Sequence, residues 1–270
     1  MSARTIPSAG VADLTRQSFL LARRTTINLL RRPDVVTFIF VQPIIFVLLF
    51  IYVFGGAIEG GIGGLSYVDF AMPGMIVATL IFDAPATAFG LNEDMQKGVL
   101  DRIRSLPLHR AAYLVGRILY DSARALTVTV IIIVVGLLIG FRFHGGLVAA
   151  VGGLLIAWLF AVGIAWASAN IGMMVSSPEA VQAAVFTVIF PFVFVSSVYV
   201  PVESMPGWLQ AVARNNPVSV VSDAVRELFL GADLAGPLQV DGNPAVALAW
   251  SFAFAALFFA LGVRRFQKLP

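Results

Sequence analysis

The chain has 270 residues, 59% of them hydrophobic and only 12% charged, with a mean hydropathy of +0.91. A soluble domain of this size is about 45–50% apolar and about 25% charged, so too little polar surface exists to cover a water-soluble body, and the solvent must be lipid. The net charge of +3 does not mark a nucleic-acid binder, because the basic residues are confined to segments between and beside apolar runs, the pattern of membrane topology.

Residues 1–10 are small and polar. A long mixed stretch precedes the first apolar run and no small-residue cleavage site follows it, so a cleavable signal peptide is not expected. Over 11–32 the spacing predicts a helix, with Val11, Leu14, Ser18, Leu21, Ala22, Thr25 and Leu29 on one stripe and Arg16, Arg23, Arg24 and Arg31 opposite. Leu20 and Ile27 fall off the stripe. Such a helix lies in the plane of the cytoplasmic interface, arginines toward anionic headgroups. A basic leader that only sets topology is the simpler reading of the same residues.

Six apolar runs follow, at about 35–57, 68–91, 118–139, 147–171, 180–200 and 245–263. At ~1.5 Å per residue the first is long enough to cross a ~30 Å hydrocarbon core. Gln42-Pro43 interrupts the first, and the freed carbonyl needs a neighbouring helix. A glycine-rich turn, GGAIEGGIGG, carries no Lys or Arg. The second run has Asp69 at its outer edge and Pro73, Gly74 and Asp83 within.

Residues 92–117, NEDMQKGVLDRIRSLPLHRAAYLVGR, are the densest charge cluster of the chain. Val99, Leu100, Ile103 and Leu106 recur at helical spacing until Pro107 breaks the pattern. A short amphipathic helix tied between two spans can receive a push from a soluble partner. Asp121 and Arg124, at the start of the third run, are spaced to pair along one helix face.

The 201–244 loop holds one clear helix. Asn216-Pro217 supplies an N-cap and a first helical position, and Gly231 a stop. Val218, Val221, Val225 and Leu228 line one face, with Ser219, Ser222, Asp223 and Arg226 on another. Too short and too charged to span, it either dips into the outer leaflet or lies on it.

Lysine and arginine counts set the orientation. With six spans, one side receives six arginines before the first span, six Lys/Arg between Asn92 and Arg124, and Arg264, Arg265 and Lys268 at the end. The other receives only Arg142, Arg214 and Arg226. Both termini are therefore expected in the cytoplasm.

The chemistry is sparse. The absence of cysteine excludes disulfides and thiolate sites. Lys97 and Lys268 are the only lysines and neither follows a phosphate-binding loop, so any ATPase must be another chain. His109 and His144 lie outside the spans, leaving none to activate a serine or ligate a metal. Asp69 and Asp83 are about 21 Å apart on one helix, too far to act as a dyad.

Asp83 itself lies inside a span, where an ionisable group costs at least ~2.5 kcal/mol unless it faces protein or water. It either lines a path or gate, or is a packing contact or a group reaching for the inner interface. Asn170 and Gln182 read as interhelical packing groups. Phe186, Phe190, Phe192 and Phe194 read mainly as packing or lipid-facing residues, with some lining a greasy path.

With those residues laid out, the chain resembles membrane subunits of the ABC-2 type transporter family, especially the drug-export branch of daunorubicin-resistance permeases. The resemblance rests on RRPDVVTFIFVQPIIFVLLF (31–50), YVDFAMPGM (67–75), the 92–117 segment, SSPEAVQAAVFTVIFPFVFVSSVYVPVESMPGWL (176–209) and NNPVSVVSDAVRELFLG (215–231). The 92–117 segment is the most specific, with Ile103 where leucine is commoner and Val99 where threonine is commoner.

The resemblance implies an all-α integral membrane protein of six transmembrane helices forming a single domain over 1–270. The 11–32 helix would be an interfacial connecting helix. A cytoplasmic coupling helix between spans 2 and 3 would seat Glu93, Asp94, Gly98, Val99, Leu100, Ile103, Leu106 and Pro107 in a groove of a separate cytosolic ABC ATPase. That partner, not this chain, would bind ATP and Mg. The helix after Asn216 would be an extracellular re-entrant element. A second permease, identical or a related paralogue, would complete the path in the plasma (inner) membrane, with Asp83, Phe186, Phe190 and Phe194 along it. The substrate would be hydrophobic or amphipathic: a drug, antibiotic or lipid. The alternatives are polysaccharide or glycolipid export, or an ATPase-independent channel or scaffold.

Overall fold

The computed structural model describes residues 11–31, 33–58, 65–99, 102, 110–231, 234 and 242–268. Among the described residues all regular structure is helical, as lipid demands of a chain whose backbone groups must be satisfied within each segment. In order these are α1 (Val11–Leu30), α2 (Pro33–Leu49), α3 (Tyr67–Phe82), α4 (Ala84–Gln96), α5 (Arg110–Leu138), α6 (Gly146–Gly172), α7 (Pro178–Phe194), α8 (Gly207–Asn215), α9 (Pro217–Leu230) and α10 (Pro244–Lys268). Among the described residues five stretches are long and apolar enough to cross a membrane: Pro33–Phe54, Tyr67–Gln96, Ala112–Leu138, Gly146–Gly172 and Pro244–Lys268. The apolar α7, 17 residues long, is shorter.

The α3–α4 stretch is the axis of the bundle. Its apolar window is 72% buried, against 11% for α2 and 17% for α10, so the outer two turn most of their surface to lipid or to a partner. Ser66 caps α3, accepting from the Asp69 amide at 3.1 Å while its own hydroxyl donates to the Asp69 carboxylate at 2.8 Å. Gly74 allows a close crossing: a Cβ there would sit 2.7 Å from the Val198 carbonyl oxygen.

The second apolar run is not one straight helix. It breaks at Asp83, the last cap of α3 and the first of α4. Pro85 explains the break, because it has no N–H to continue the helical ladder and its ring crowds the preceding turn. Farther on, α2 runs through a π-helical turn at Phe50–Phe54 into a last α-helical turn, Gly55–Ile58. The helix α5 begins at Arg110, within the stretch read as coupling loop, and α10 continues to Lys268.

The fifth apolar run ends its helix at Phe194, short of Val200. One side chain accounts for this. The Asn216 amide donates to the carbonyl oxygens of Phe192 (2.6 Å) and Val195 (2.5 Å), and its own oxygen accepts from the Val218 amide at 2.9 Å. Asn216 thus closes the end of α7 and opens α9, while Gly231, at φ +81°, ends α9.

Wedged among α3, α6 and α10, α9 is buried on its polar side as well as its apolar one, Ser219, Ser222, Asp223 and Arg226 included. Arg226 pairs with Asp223, donates to the carbonyls of Phe70 and Ser197 at 2.9 Å each, and lies 4.2 Å from the centre of the Phe70 ring. Ser197 donates to Asp223 at 2.8 Å. Burial pushes the Asp223 carboxyl above the ordinary range, and Arg226 opposes this without cancelling it.

On the other side of the bundle α1 packs along α5. Ser18 and Ala22 of its stripe are buried, whereas Arg16, Arg23, Phe19, Leu20 and Ile27 are exposed.

Candidate functional site

The break at Asp83 opens onto a cavity of about 600 Å³ bounded by α2, the α3–α4 stretch, α5 and α7. Its walls are of two kinds. Gln42, Asp83, Glu93, Arg117, Arg124 and Gln182 supply polar groups; Phe46, Phe82, Phe89, Phe186 and Phe190 supply aromatic surface. A mostly apolar cleft with a few converging polar groups is what a small amphipathic ligand requires.

The charges are not loose. Arg124 donates to Asp83 at 2.9 Å and lies 3.5 Å from Asp121. Asp121 meets Arg117 at 3.3 Å, and Arg117 meets Asp94 at 3.4 Å. Tyr113 donates to Asp94. This ladder, Asp83–Arg124–Asp121–Arg117–Asp94–Tyr113, runs along the α4–α5 interface from the break toward the charged loop. Each member is tolerated in a lipid-embedded bundle because an opposite charge or a donor faces it. Gly90 makes room for it: a Cβ there would lie 1.7 Å from an Arg117 guanidinium nitrogen. Arg117 also donates to the Ala86 carbonyl at 3.2 Å.

From the end of the cavity away from Glu93 a chain of rings continues. Phe82 and Phe190 lie 5.5 Å apart, Phe190 stacks on Phe194 at 5.4 Å, and Phe194 meets Tyr199 at 5.4 Å. Tyr199 stacks in turn on Phe50 at 4.3 Å. Phe186 and Phe190 therefore line the cavity with Asp83, while Phe194 stands beyond it in that chain of rings. Gln182, read as a packing residue, is exposed on the cavity wall. Asn170 does bridge helices, donating to the Phe258 carbonyl at 3.0 Å.

Toward the charged loop, the Asn92 amide donates to the carbonyls of Gly172 (2.9 Å) and Val175 (2.7 Å), and Gln96 donates to Ser176 at 2.7 Å. The end of α4 is thereby tied to the turn between α6 and α7. Gly98, at φ +64°, turns the chain after α4 in a conformation that favours glycine. Of the residues assigned to coupling, Glu93, Asp94, Gly98 and Val99 are described; Leu100, Ile103, Leu106 and Pro107 lie outside the described residues. Asp94 is engaged by Tyr113 and Arg117, and Glu93 pairs with Lys97.

Sequence reasoning passed over Arg117, Tyr113, Asn92 and Gln96. One signal was present. Arg124 stands at the head of an apolar run and needs an acid; its i−3 neighbour Asp121 drew attention, but the shorter contact is to Asp83 on another helix.

A bundle of apolar helices around an amphipathic cleft, with a buried charge ladder leading from the cleft to a charged loop, is the architecture of a multi-pass membrane protein. The model of the ABC-2 type transporter family matches residues 16–230. The chain is 36% identical over 230 residues to the daunorubicin resistance ABC transporter permease protein DrrB1 of Streptomyces coeruleorubidus, covering 85% of this chain and 78% of that one. It is 30% identical over 190 residues to the probable doxorubicin resistance ABC transporter permease protein DrrC of Mycobacterium tuberculosis, covering 66% of each. The doxorubicin resistance permease DrrB of the same organism is 29% identical over 252 residues, covering 90% of this chain and 86% of that one. The chain belongs to the ABC-2 type transporter family, as a membrane permease subunit of an ABC exporter rather than its ATPase.

Proposed function

We propose that this permease exports an apolar or amphipathic molecule of the drug or antibiotic kind, with the α2–α4–α7 cavity as its inward-facing binding site. The observation that carries the reading is that one cavity gathers Asp83, Phe186 and Phe190 with Gln42 and Gln182, so that a ligand finds aromatic walls interleaved with polar groups. The drugs whose resistance the relatives' names record, daunorubicin and doxorubicin, suit such walls. A separate cytosolic ATPase binds ATP and Mg, receives the Glu93–Pro107 segment in a groove, and on closing shifts the helices from inward- to outward-facing. A second permease subunit, identical or paralogous, pairs with this one so that α3–α4 and α7 of each face the path.

The test is drug uptake into inverted vesicles containing the permease and its ATPase. Phe190 is half-exposed at the cavity wall, so Phe190→Ala removes a ligand contact without emptying a core. Losing aromatic contact of ~1.5 kcal/mol raises the half-saturating drug concentration about tenfold, with ATPase recovery unchanged. An unchanged half-saturation for both Phe190→Ala and Phe186→Ala would remove this cavity from the path.

In the same reading α7, extended by the segment after Phe194, counts as a sixth span, α9 is re-entrant from the outer side, and α1 lies at the inner interface of the plasma membrane. The lopsided distribution of Lys and Arg supports cytoplasmic termini. Reporter fusions after Gln96 and Pro270 are expected to read cytoplasm, and one near Ala232 the outside. An external signal at Pro270 overturns the six-span arrangement.

A further inference from the structure

A second groove, of about 790 Å³, runs between α6, α7 and α10, on the other side of α7 from the cavity described above. Its walls are apolar along most of their length, formed by Ile164, Val185, Val188, Phe254, Phe258 and Leu261. Val188, Phe192, Leu261 and Met174 are 42–65% exposed, so the groove is open along one side. At one end the lining changes character, with Arg264, Arg265 and Lys268 joining Met173 and Met174.

That change follows from one helix face. Along α10 the residues Phe254, Phe258, Leu261, Arg265 and Lys268 succeed one another at three- and four-residue spacing, so a single stripe passes from aromatic to cationic. From Phe254 to Arg264 the helix rises about 15 Å at ~1.5 Å per residue, the depth of half a ~30 Å hydrocarbon core. Among the described residues none of the three cations meets a carboxylate within 4.0 Å. Arg264 and Lys268 are exposed, and Arg265 reaches only the Asn170 carbonyl, at 3.5 Å.

We propose that this groove holds an anionic glycerophospholipid of the leaflet at which α10 ends, its acyl chains along the aromatic stripe and its phosphate at Arg264, Arg265 and Lys268. An apolar channel one leaflet deep with a cationic mouth matches such a lipid at both ends. A neutral lipid would leave three cations without a counterion. A protein helix filling the groove would need an acidic end at that depth. The site is separate from the drug cavity, and its assignment does not depend on what the exporter carries.

The experiment uses the full-length chain in a non-ionic detergent, with phosphatidylglycerol or phosphatidylcholine titrated in and bound lipid counted by native mass spectrometry. Phosphatidylglycerol is expected to bind at least tenfold more tightly than phosphatidylcholine. With each basic residue near an anionic headgroup contributing roughly fivefold, the Arg264→Gln/Arg265→Gln/Lys268→Gln variant is expected to bind it on the order of a hundredfold more weakly. Val188→Trp, which fills the groove and leaves the cations in place, is expected to displace the lipid as well, and inorganic phosphate at the same concentration is expected not to compete. Undiminished phosphatidylglycerol binding by the triple variant overturns the proposal. So does full competition by inorganic phosphate, which would make the mouth a free-anion site. Lipid binding that persists in the triple variant while ATPase copurification is lost would assign the cations to the ATPase instead, and overturns it equally.

Discussion

Arg124→Leu is expected to remove most of the folded permease, whereas Asp83→Asn is expected to leave its amount close to wild type. The difference comes from charge accounting along the ladder. Arg124 serves two acids, Asp83 at 2.9 Å and Asp121 at 3.5 Å. Deleting it leaves Asp121 with Arg117, at 3.3 Å, but leaves Asp83 with no cation among its described contacts. An uncompensated charge at a low-dielectric site costs about 3–5 kcal/mol, a large fraction of the 5–15 kcal/mol that holds a typical domain together. Asp83→Asn keeps a group that can accept from Arg124, and Arg124 keeps Asp121. The check is the yield and melting midpoint of the solubilised protein. Adding Asp83→Leu to Arg124→Leu should recover most of the loss, because the stranded carboxylate is then gone. Equal losses from Arg124→Leu and Asp83→Asn would mean that the pair does not act as a unit. The same variants separate the two readings of Asp83: a folded Asp83→Asn protein that no longer transports places its work in the cavity, and one that transports normally makes it a packing group.

Leu106→Asp is expected to abolish copurification of the ATPase, and transport with it, while the permease still inserts because no span is touched. If Val99, Leu100, Ile103 and Leu106 are the face seated in the ATPase, a carboxylate there must be desolvated against apolar surface. Losing a buried leucine costs roughly 1.5–3 kcal/mol, and burying an unpaired charge adds to that. A loss above ~2.8 kcal/mol weakens association about a hundredfold. Arg104→Ala, expected on a more solvated face of that helix, should cost far less, since exposed ion pairs contribute only ~0–1 kcal/mol. Equal ATPase recovery from Leu106→Asp and wild type would sink the coupling assignment.

Between those two sites the chain offers a connection. A push on the 92–117 segment meets the end of α4, which is bonded through Asn92 and Gln96 to the turn before α7. It also meets Asp94, the lower rung of a ladder whose upper rung, Asp83, stands at the Pro85 break on the cavity wall. Both helices that face the proposed substrate, α4 and α7, are thus held by polar contacts whose other ends lie at the cytoplasmic face of the topology proposed above.

The sequence by itself determined the solvent, the helical class and the order of the elements. Lipid permits only closed hydrogen-bonded segments, and hydropathy, proline and glycine record where those segments start and stop. Asn216, Pro217 and Gly231 stand at the cap, first turn and stop of α9 because capping is a matter of neighbours in the chain. Even the break at Asp83 was written locally, in Pro85. What the tertiary structure alone decided is which distant residues meet. Asp83 and Arg124 are 41 residues apart, and Asn92 lies 80 residues from the Gly172 carbonyl it binds. Periodicity fixes the face of a helix on which a side chain stands, but not the rotation and height at which two helices settle. Those follow from side-chain volumes across the whole interface: Gly90 admitting the Arg117 guanidinium, Gly74 admitting the backbone of Val198. The cavity exists because α2, α4, α5 and α7 come to rest with their rings and charges turned toward one another, an outcome of packing among segments that no single stretch of the chain contains.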